Sequence, residues 1–547
     1  MSAGLVASDG ITPLASVVAP VREVPLSRSF RAADVAGQEM GSWFPPNLSA
    51  DGAVFPDRDL SLARARDLDR NDPHAQAGVD RRVDLLVGAG VRLVAQIDAE
   101  SLGLDRERDA DTIRDLRRQI EREWRLFALD PMRMSDASRQ VSLNGRFRQL
   151  ARTWTVAGET TAILRWRQTG GGRYRTCLQA IDPDRLSNPT DRPDTDRLRG
   201  GVEFDELGAA LAYHVRNGHP ADFTSGASSL TWERVPRETE WGRPVFVHGF
   251  EPKREGQTRA MTPFSALVQR LRMVGKHAEL EIANATANAL FAATLQSNLP
   301  IGDATAKMNL AGTAYADSRL NHYRQQAPTI GGVRIPVLPI GDQLVFNNSP
   351  RTTASFPAFQ TSFLRSIAAA FGLSYEQLSM DWSQTNYSSA RAALNEVWRG
   401  VRREFAAFVE QVVMPVYIAL LEEAFDRRYI RVPAGIPGFW DMPGAWASSR
   451  WIGSPRGYVD PVKEAQGSSM RLDNLTSTLE AECAEQGLDL EDVLDQAQYE
   501  EAELKRRGLA RVTAGAKVTE PADEDEPKPE PGRSGSRAAS LPPRIAA

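Results

Sequence analysis

Cysteine is almost missing: Cys177 and Cys483 are the only two in 547 residues, and neither belongs to a CxxC or Cys/His cluster. That excludes a disulfide framework and a thiolate zinc site, and both residues read as reduced thiols in a cytosolic fold. Histidine is scarce as well, with six scattered copies; His277 beside Glu279 and Glu281 reads as a polar helix face rather than a metal site. GxxxxGK[ST], HExxH and GxSxG are all absent, so the phosphate cradle of a nucleotide hydrolase, the metalloprotease helix and the serine nucleophile elbow are not encoded. No run approaches the roughly eighteen consecutive apolar residues of a membrane span, and the start lacks a charged, apolar and cleavable leader pattern. Neither export by that route nor a spanning helix is expected. Excess positive charge is lacking too: 66 basic against 71 acidic residues give a net charge of -5, which removes the simplest basis for tight, nonspecific nucleic-acid binding and leaves only weak or sliding contact.

What is present is an ordinary soluble composition, 41% hydrophobic and 25% charged, in a chain long enough for roughly two to four compact units. Residues 1–56 are rich in Ser, Ala, Gly and Pro and read as a loosely ordered arm able to order against a partner. Residues 509–547 combine an acidic block with Pro, Gly and Ser and are expected to be disordered. Between them, "RARDLDRNDPHAQAGVDRRVDLLVGAGVRLVAQI" predicts two helices, the second opened by Asp72 and Pro73 and ended by Gly88 and Gly90, then a strand over 91–97. Helices over about 109–128 and 142–156 follow, then alternation on both sides of "TGGGR", the signature of a hairpin. Further strands in "GVEFDELGAALAYHVR" and "RPVFVHGF" complete an α+β region with a predominantly helical core around it.

The texture then changes. Phe264, Leu267, Val268, Leu271 and Val274 mark one face of a helix, followed by the small-residue run "IANATANALFAAT". A helix of about 33 residues here would be on the order of 50 Å long, with small residues allowing close approach of neighbouring helices. A second amphipathic helix covers "SFPAFQTSFLRSIAAAFG"; a third starts at Ser388 or Ser389 as N-cap and runs to about Arg428 with a kink near Pro415. A Trp-, Pro- and Gly-rich connector leads to a last helical region at about 460–507. Several signals have plainer explanations than chemistry. Asp182 and Asp184 fit a turn better than a metal site, "TGGGR" a hairpin loop better than a phosphate cradle, and Trp440, Trp446 and Trp451 packing or an interface better than a base-stacking platform. The polar, aromatic stretch "LSMDWSQTNYSS" reads either as a surface connector or as a loop facing a polar ligand, anchored by Trp382 and Tyr387.

"GLSYEQLSMDWSQTNYSSARAALNEVWRGVRR", "FEPKREGQTRAMTPF", "DRLSNP" and "RNDPHAQAGVDRRVDLLVGAGVRL" closely resemble the portal proteins of lambda-type tailed bacteriophages. "WIGSPRGYVDPVKEAQ" and "LEAECAEQG" extend the resemblance in the same order over roughly residues 57–508. The resemblance implies a portal fold of wing, stem, clip and crown that forms a ring oligomer, usually of twelve copies, at one capsid vertex. Double-stranded DNA passes through the central channel during packaging and ejection. Partners would be the terminase large subunit, the major capsid protein, scaffold and head-completion or adaptor proteins. The motor that hydrolyses ATP is a separate protein, so no catalytic residue, cofactor or metal is expected here. Localisation would be the virion's portal vertex, and the host cytoplasm during assembly.

Laid over the elements above, the resemblance implies a wing at 57–261, stem helices at 262–297 and 354–373, and a clip between them at 298–353. A tunnel loop at 374–389, a return helix and connector at 390–455 and a crown at 456–508 complete the assignment. Asp381, Trp382, Gln384, Asn386, Tyr387, Ser388 and Ser389 would line the channel, with no basic residue until Arg391, so that phosphates are not held fast. Ala283, Ala285, Ala287 and Ala289 would meet the neighbouring subunit. The competing readings are a head-to-tail adaptor or other capsid assembly protein, against which the chain's length argues, and a metal-dependent DNA-processing enzyme, for which no spaced carboxylate motif exists.

Overall fold

Ser49 sets the first helix: extended at φ -61 and ψ 167, its hydroxyl accepts from the Gly52 amide at 3.0 Å, and helix α1 runs over Ala50–Asn71. The computed structural model describes residues 42–168, 170–222, 230–290, 294–297, 329–330, 333–334, 342–345, 356–383, 385–457 and 460–509. It divides into two units, Met1–Gly487 and Leu488–Ala547. Helix α1 therefore begins inside the stretch expected to be a loose arm. The Asp51 carboxylate explains why, accepting from the Thr258 amide and hydroxyl at 2.7 Å each and tying residues 50–56 to the body. Residues 1–41 of that arm lie outside the described residues. Asp72 caps α2 (Pro73–Leu86) through the His74 and Ala75 amides, with Pro73 at a position whose missing N–H costs nothing. Gly88 and Gly90, at φ +55 and +154, then turn the chain into strand β1 (Arg92–Ala95), as the sequence predicts.

Helices α3 (Ala110–Ala128) and α4 (Leu143–Ala157) follow; α4 ends at Gly158, φ +84, where an added Cβ would lie 2.6 Å from the Met261 carbonyl oxygen. The hairpin of β2 (Glu159–Trp166) and β3 (Thr176–Ile181) is present and antiparallel. A second antiparallel sheet orders β4 (Leu198–Arg199), β5 (Val202–Phe204), β6 (Ala210–Arg216) and β7 (Trp232–Pro236) in sequence. Strand β8 (Phe246–Phe250) crosses back to the other side of β2, giving the order β3-β2-β8 and leaving β2 buried from Glu159 to Leu164.

A 3₁₀ turn, Pro263–Ala266, precedes helix α5, which covers Val268–Leu290 rather than reaching 297. At about 35 Å it is shorter than its apolar pattern suggested. The chain leaves the helix because Thr294–Ser297 pairs as β9 with Asp342–Val345, from Thr294↔Val345 to Ser297↔Asp342, and a tertiary ladder overrides local propensity. Thr329–Ile330 (β10) and Val333–Arg334 (β11) form a small hairpin, and Asp342–Val345 is β12; the rest of 298–353 lies outside the described residues.

Helix α6 (Phe356–Phe371), the short α7 (Tyr375–Ser379) and α8 (Tyr387–Phe408) come next. A π-helical turn, Val409–Val413, joins α8 to α9 (Met414–Asp426). The irregularity expected at Pro415 takes this form because proline offers no amide to the carbonyl four residues back. Taken together, Ser388–Asp426 is long and apolar enough to cross a membrane by length and composition, which the absence of an uninterrupted apolar run had not suggested. Val412, Val413, Val416, Tyr417, Leu420 and Leu421 are instead almost wholly buried in the largest core, with Trp124 and Phe147. The Glu423 carboxylate fastens this helix to β3, accepting from the Arg175 amide at 2.7 Å and the Thr176 amide and hydroxyl at 2.8 and 2.7 Å. After α10 (Pro443–Ala447), strand β13 (Ser449–Ile452) pairs antiparallel with β1, from Arg92↔Ile452 to Ala95↔Ser449. Helices α11 (Pro461–Asp473) and α12 (Leu479–Glu485) end the first unit. The second unit is described by α13 (Leu490–Arg506), capped by Asp489, acidic in its first turn and basic in its last, in keeping with the helix dipole. The unit boundary thus falls inside the segment expected to be one crown.

Two of the motifs quoted above meet at a buried ionic cluster. Arg259 donates to both Glu159 carboxylate oxygens and to the carbonyls of Pro183, Leu186 and Gly200, at distances of 2.6 to 3.0 Å. Arg58 reaches the same carboxylate at 2.7 Å and His248 at 3.2 Å. One fully buried glutamate therefore holds α1, β2, β8 and the segment leading into α5 together.

Candidate functional site

The helix pair α5 and α6 rests on a second core formed by Phe264, Leu267, Leu271, Ile367, Phe371 and the inner face of α2. Phe264 and Phe371 meet edge to face with centroids 5.3 Å apart. Gly78 of α2 sits against that contact: a Cβ there would lie 2.8 Å from the Phe371 ring, so glycine allows α2 and the second helix of the pair to touch. Further along α5, His277 stacks on Phe356 and Phe359, with centroids 5.5 and 4.4 Å apart. It packs as an aromatic.

The four alanines assigned to subunit contact all fall on α5, and Ala283 is exposed in the single chain. Helical periodicity separates them into two pairs, Ala283 with Ala287 and Ala285 with Ala289, on opposite sides of the helix. An every-second-residue pattern gives two narrow edges on a helix.

The polar loop is shorter than 374–389. Ser374 opens α7 with a capping box, its hydroxyl accepting from the Gln377 amide while Gln377 accepts from the Ser374 amide at 3.0 Å. Met380, left-handed at φ +57, ends that helix. The Asp381 carboxylate accepts from the Ser383 amide at 3.1 Å, and its interaction with Ser383 holds its pKa below the usual carboxylate range. The Thr385 amide then donates to the Trp382 carbonyl at 3.2 Å. Asn386, not Ser388 or Ser389, is the N-cap of α8: its side chain accepts from the Ser389 amide at 2.9 Å, and the Ser389 hydroxyl donates back to the Asn386 carbonyl at 3.0 Å. Asparagine won the cap because its side-chain oxygen reaches the N3 amide from an extended residue. Tyr387, Ser388 and Ser389 are consequently first-turn helix residues rather than loop. Asp381, Trp382, Ser383, Asn386, Ser388 and Ser389 are all exposed; Gln384 and the Tyr387 side chain lie outside the described residues. Trp382 is 44% exposed in the single chain. Arg391, the first basic residue after the loop, is engaged by Glu464 at 3.4 Å, and Arg81 points a nitrogen at the Met380 sulfur, 3.4 Å away.

Beyond its first turn, α8 presents Arg391, Asn395, Trp398, Arg402 and Phe405 at helical spacing to the segment 453–485. Arg402 pairs with Glu485 at 2.7 Å, and Arg456 reaches both Glu485, at 4.0 Å, and Asn395. A cavity of about 280 Å³ remains inside this contact, and the Trp398 Nε1 has no hydrogen-bond partner there. On the opposite flank, Arg82 of α2 pairs with Glu404. Sequence inspection missed this charged docking face because its partners are more than sixty residues apart; only the i, i+4, i+7, i+11, i+14 spacing of the α8 side chains could have hinted at it.

Elsewhere, Asp182, Asp184 and His219 bring ligand atoms within 4.8 Å of one another, a grouping able to hold a metal ion. The Arg66 guanidinium already bridges Asp182, at 2.7 Å, and Asp184, while Asp182 caps the 3₁₀ turn Pro183–Arg185. A cation of the protein's own supplies the charge, in accord with the turn reading. Of the three connector tryptophans, Trp446 is fully buried and Trp451 packs on Trp124 with centroids 4.9 Å apart; Trp440 alone of the three is markedly exposed. They do not form one stacking platform.

A family model described as "Phage portal protein, lambda family" matches residues 36–404, which include the helix pair, the polar loop and most of α8. The chain belongs to that family. Relatives within it include the portal protein of Escherichia phage N15, 33% identical over 508 residues, covering 89% of this chain and 94% of the relative. Portal protein B of Escherichia phage lambda is 32% identical over 485 residues, covering 86% and 89%. Both relatives extend the likeness beyond 36–404. Among solved structures, a chain from the neck of a native GTA particle computed with C12 symmetry covers 80% of this chain and 99% of itself at 13% identity, with a TM-score of 0.41. Another from the neck of an empty GTA particle reaches 0.43 at 14% identity. The protein is thus a phage portal protein by family, a structural component of the virion capsid in a family that is not one of enzymes.

Proposed function

We propose that the chain assembles as a closed ring, twelve copies in number, whose bore conducts double-stranded DNA into and out of the capsid. What carries this reading is the order of parts in a lambda-family chain: two packed helices flanking a long insertion, a short exposed polar loop, and a helix that returns into the wing core. The wing is the α+β body up to about residue 261, the stem is α5 with α6, and the clip is the insertion between them. The tunnel loop is residues 380–386, and α8 is the return helix. The crown begins after β13.

The loop's chemistry supports a sliding contact. Asp381 is an exposed anion, its neighbours are hydroxyls and amides, and the nearest arginine after it is neutralised by Glu464. Multiple free guanidinium groups would instead trap phosphates through counterion release. Two alanine edges on opposite sides of α5 suit a stem touched by one neighbour on each flank, the requirement of a heterologous ring contact. In this reading the clip meets the terminase large subunit and later the head-completion or adaptor proteins, the wing meets the major capsid protein and scaffold, and assembly takes place in the host cytoplasm.

Electron microscopy of the purified protein should show rings with a countable symmetry; a monomer at every concentration and salt tested would sink the proposal. Because Asn386 is a helix cap, the channel role is best tested by Asp381→Ala with Trp382→Ala and Gln384→Ala. Rings should still form while DNA packaging or retention falls. Normal packaging by that variant would remove the loop from the channel.

A further inference from the structure

The wing carries an aromatic groove of about 800 Å³ between the end of β2, the loop 239–243, the last turns of α9 and residues 438–440. Three indoles form its wall, Trp166, Trp241 and Trp440, exposed to 50%, 59% and 38%. They are held in place: the Trp241 Nε1 donates to Glu422 at 2.6 Å, Arg243 pairs with the same carboxylate, and the Arg243 and Arg427 guanidinium groups lie 5.3 and 5.8 Å from the Trp166 ring centre. Fixed tryptophans flanked by arginines are the composition of interface hot spots, and outward-facing rings of this size are costly to leave in water. The channel reading does not use this surface.

We infer that the groove seats the chain's own N-terminal arm, through residues 11–26, "ITPLASVVAPVREVPL". Forty-one residues precede the first described one, Ser42, and the chain enters there beside Trp43 and Phe44, which are 65% and 68% exposed. The stretch from Leu26 to Ser42 spans up to about 55 Å when extended, which leaves the segment a long tether. Its side chains are aliphatic, and Pro13, Pro20 and Pro25 punctuate them. Proline suits an indole wall: it has no amide to leave unpaired against an apolar surface, and its fixed φ reduces the entropy lost on docking. Arg22, the segment's one basic residue, complements Asp426 at the groove's edge, a carboxylate with no ion pair among the described residues.

A photo-crosslinking residue placed at Val18 of the full-length, assembled protein tests this. Peptides carrying Trp166, Trp241 or Trp440 should be captured on irradiation, and Trp440→Ala should lower the yield by about tenfold, the scale of a hot-spot tryptophan. Should Trp440→Ala disturb folding, Asp426→Arg should lower the yield in its place and the added Arg22→Asp should restore it. Mixing isotopically light and heavy chains identifies whether the groove belongs to the same copy or a neighbour, and either result supports the docking. Capture at any other surface, or a yield unmoved by both groove variants, overturns it.

Discussion

Replacing Arg259 with methionine should be among the most damaging single changes in the α+β body. The guanidinium is 2% exposed, Glu159 is 0% exposed, and the two are 2.6 Å apart. Removing one partner of a buried ion pair costs about 3–5 kcal/mol because the other charge stays buried. Arg58 and His248 still face Glu159, which argues for the lower end of that range, about 3 kcal/mol. The carbonyls of Pro183, Leu186 and Gly200 lose their donor at the same time, adding about 1 kcal/mol for each that stays dry. With the Pro183 and Leu186 carbonyls staying dry and the part-buried Gly200 carbonyl reached by water, a loss of about 5 kcal/mol results. A unit of this size unfolds with an entropy of roughly 0.9 kcal/mol/K, so the Tm should fall by about 5 °C. Near-ultraviolet circular dichroism follows the melt, because Trp124 and Trp154 are buried in the largest core of the same unit. Glu159→Gln combined with Arg259→Met should cost less than the two changes summed, by at least about 2 kcal/mol, since the orphaned charge is gone. A single Arg259→Met chain melting within about 1 °C of the parent, or strict additivity in the cycle, would refute the reasoning.

The same cluster fixes the sign of an acid effect. Burial alone would raise the Glu159 pKa, but Arg259 and Arg58 overcome it and hold the carboxyl well below its usual range; burial pushes His248 down. Both groups bind protons more readily unfolded than folded, so the stability they contribute is present above their ordinary values and is lost as the pH falls. Urea midpoints should drop from about pH 6.5 downward, and His248→Gln should flatten the upper part of that curve; a flat profile from pH 7 to 4 contradicts this. Docking of residues 453–485 on α8 leans on part-exposed pairs such as Arg402 with Glu485 and Arg391 with Glu464, at 2.7 and 3.4 Å. Such pairs are worth at most about 1 kcal/mol each and are screened by salt, so proteolysis near Gly457 should quicken several-fold between about 0.05 and 1 M salt. A rate indifferent to salt would assign the docking to apolar contact instead. Asn386→Ala should destabilise the first turn of α8 by about 1 kcal/mol, read as faster amide exchange at Ser389 and Ala390, whereas Ser388→Ala should not.

Local chemistry was legible wherever a residue acts on its own neighbours. Asp72 and Pro73, Gly88 and Gly90 start or stop their elements where the sequence says, because caps, missing amides and positive φ are decided within a few residues. The loop cap was misassigned for an equally local reason: Asn386, Ser388 and Ser389 all carry cap-competent oxygens, and only the backbone turn after Trp382 selects the first. The end of α5 was misplaced because strand Thr294–Ser297 exists only through its partner fifty residues on.

By itself the sequence determined the helix pair, the polar loop, the long helix that follows it and the family, since ordered motifs and helical periodicity are properties of the chain. Tertiary structure alone decided that β8 joins β2 and that β13 completes β1 from the far end of the chain. It also decided that Glu159 gathers Arg58, His248 and Arg259, and that three tryptophans distant in sequence share one groove. Those arrangements depend on backbone pairing and charge burial between segments roughly seventy-five or more residues apart. Each is fixed by free energies that no local window of the sequence contains.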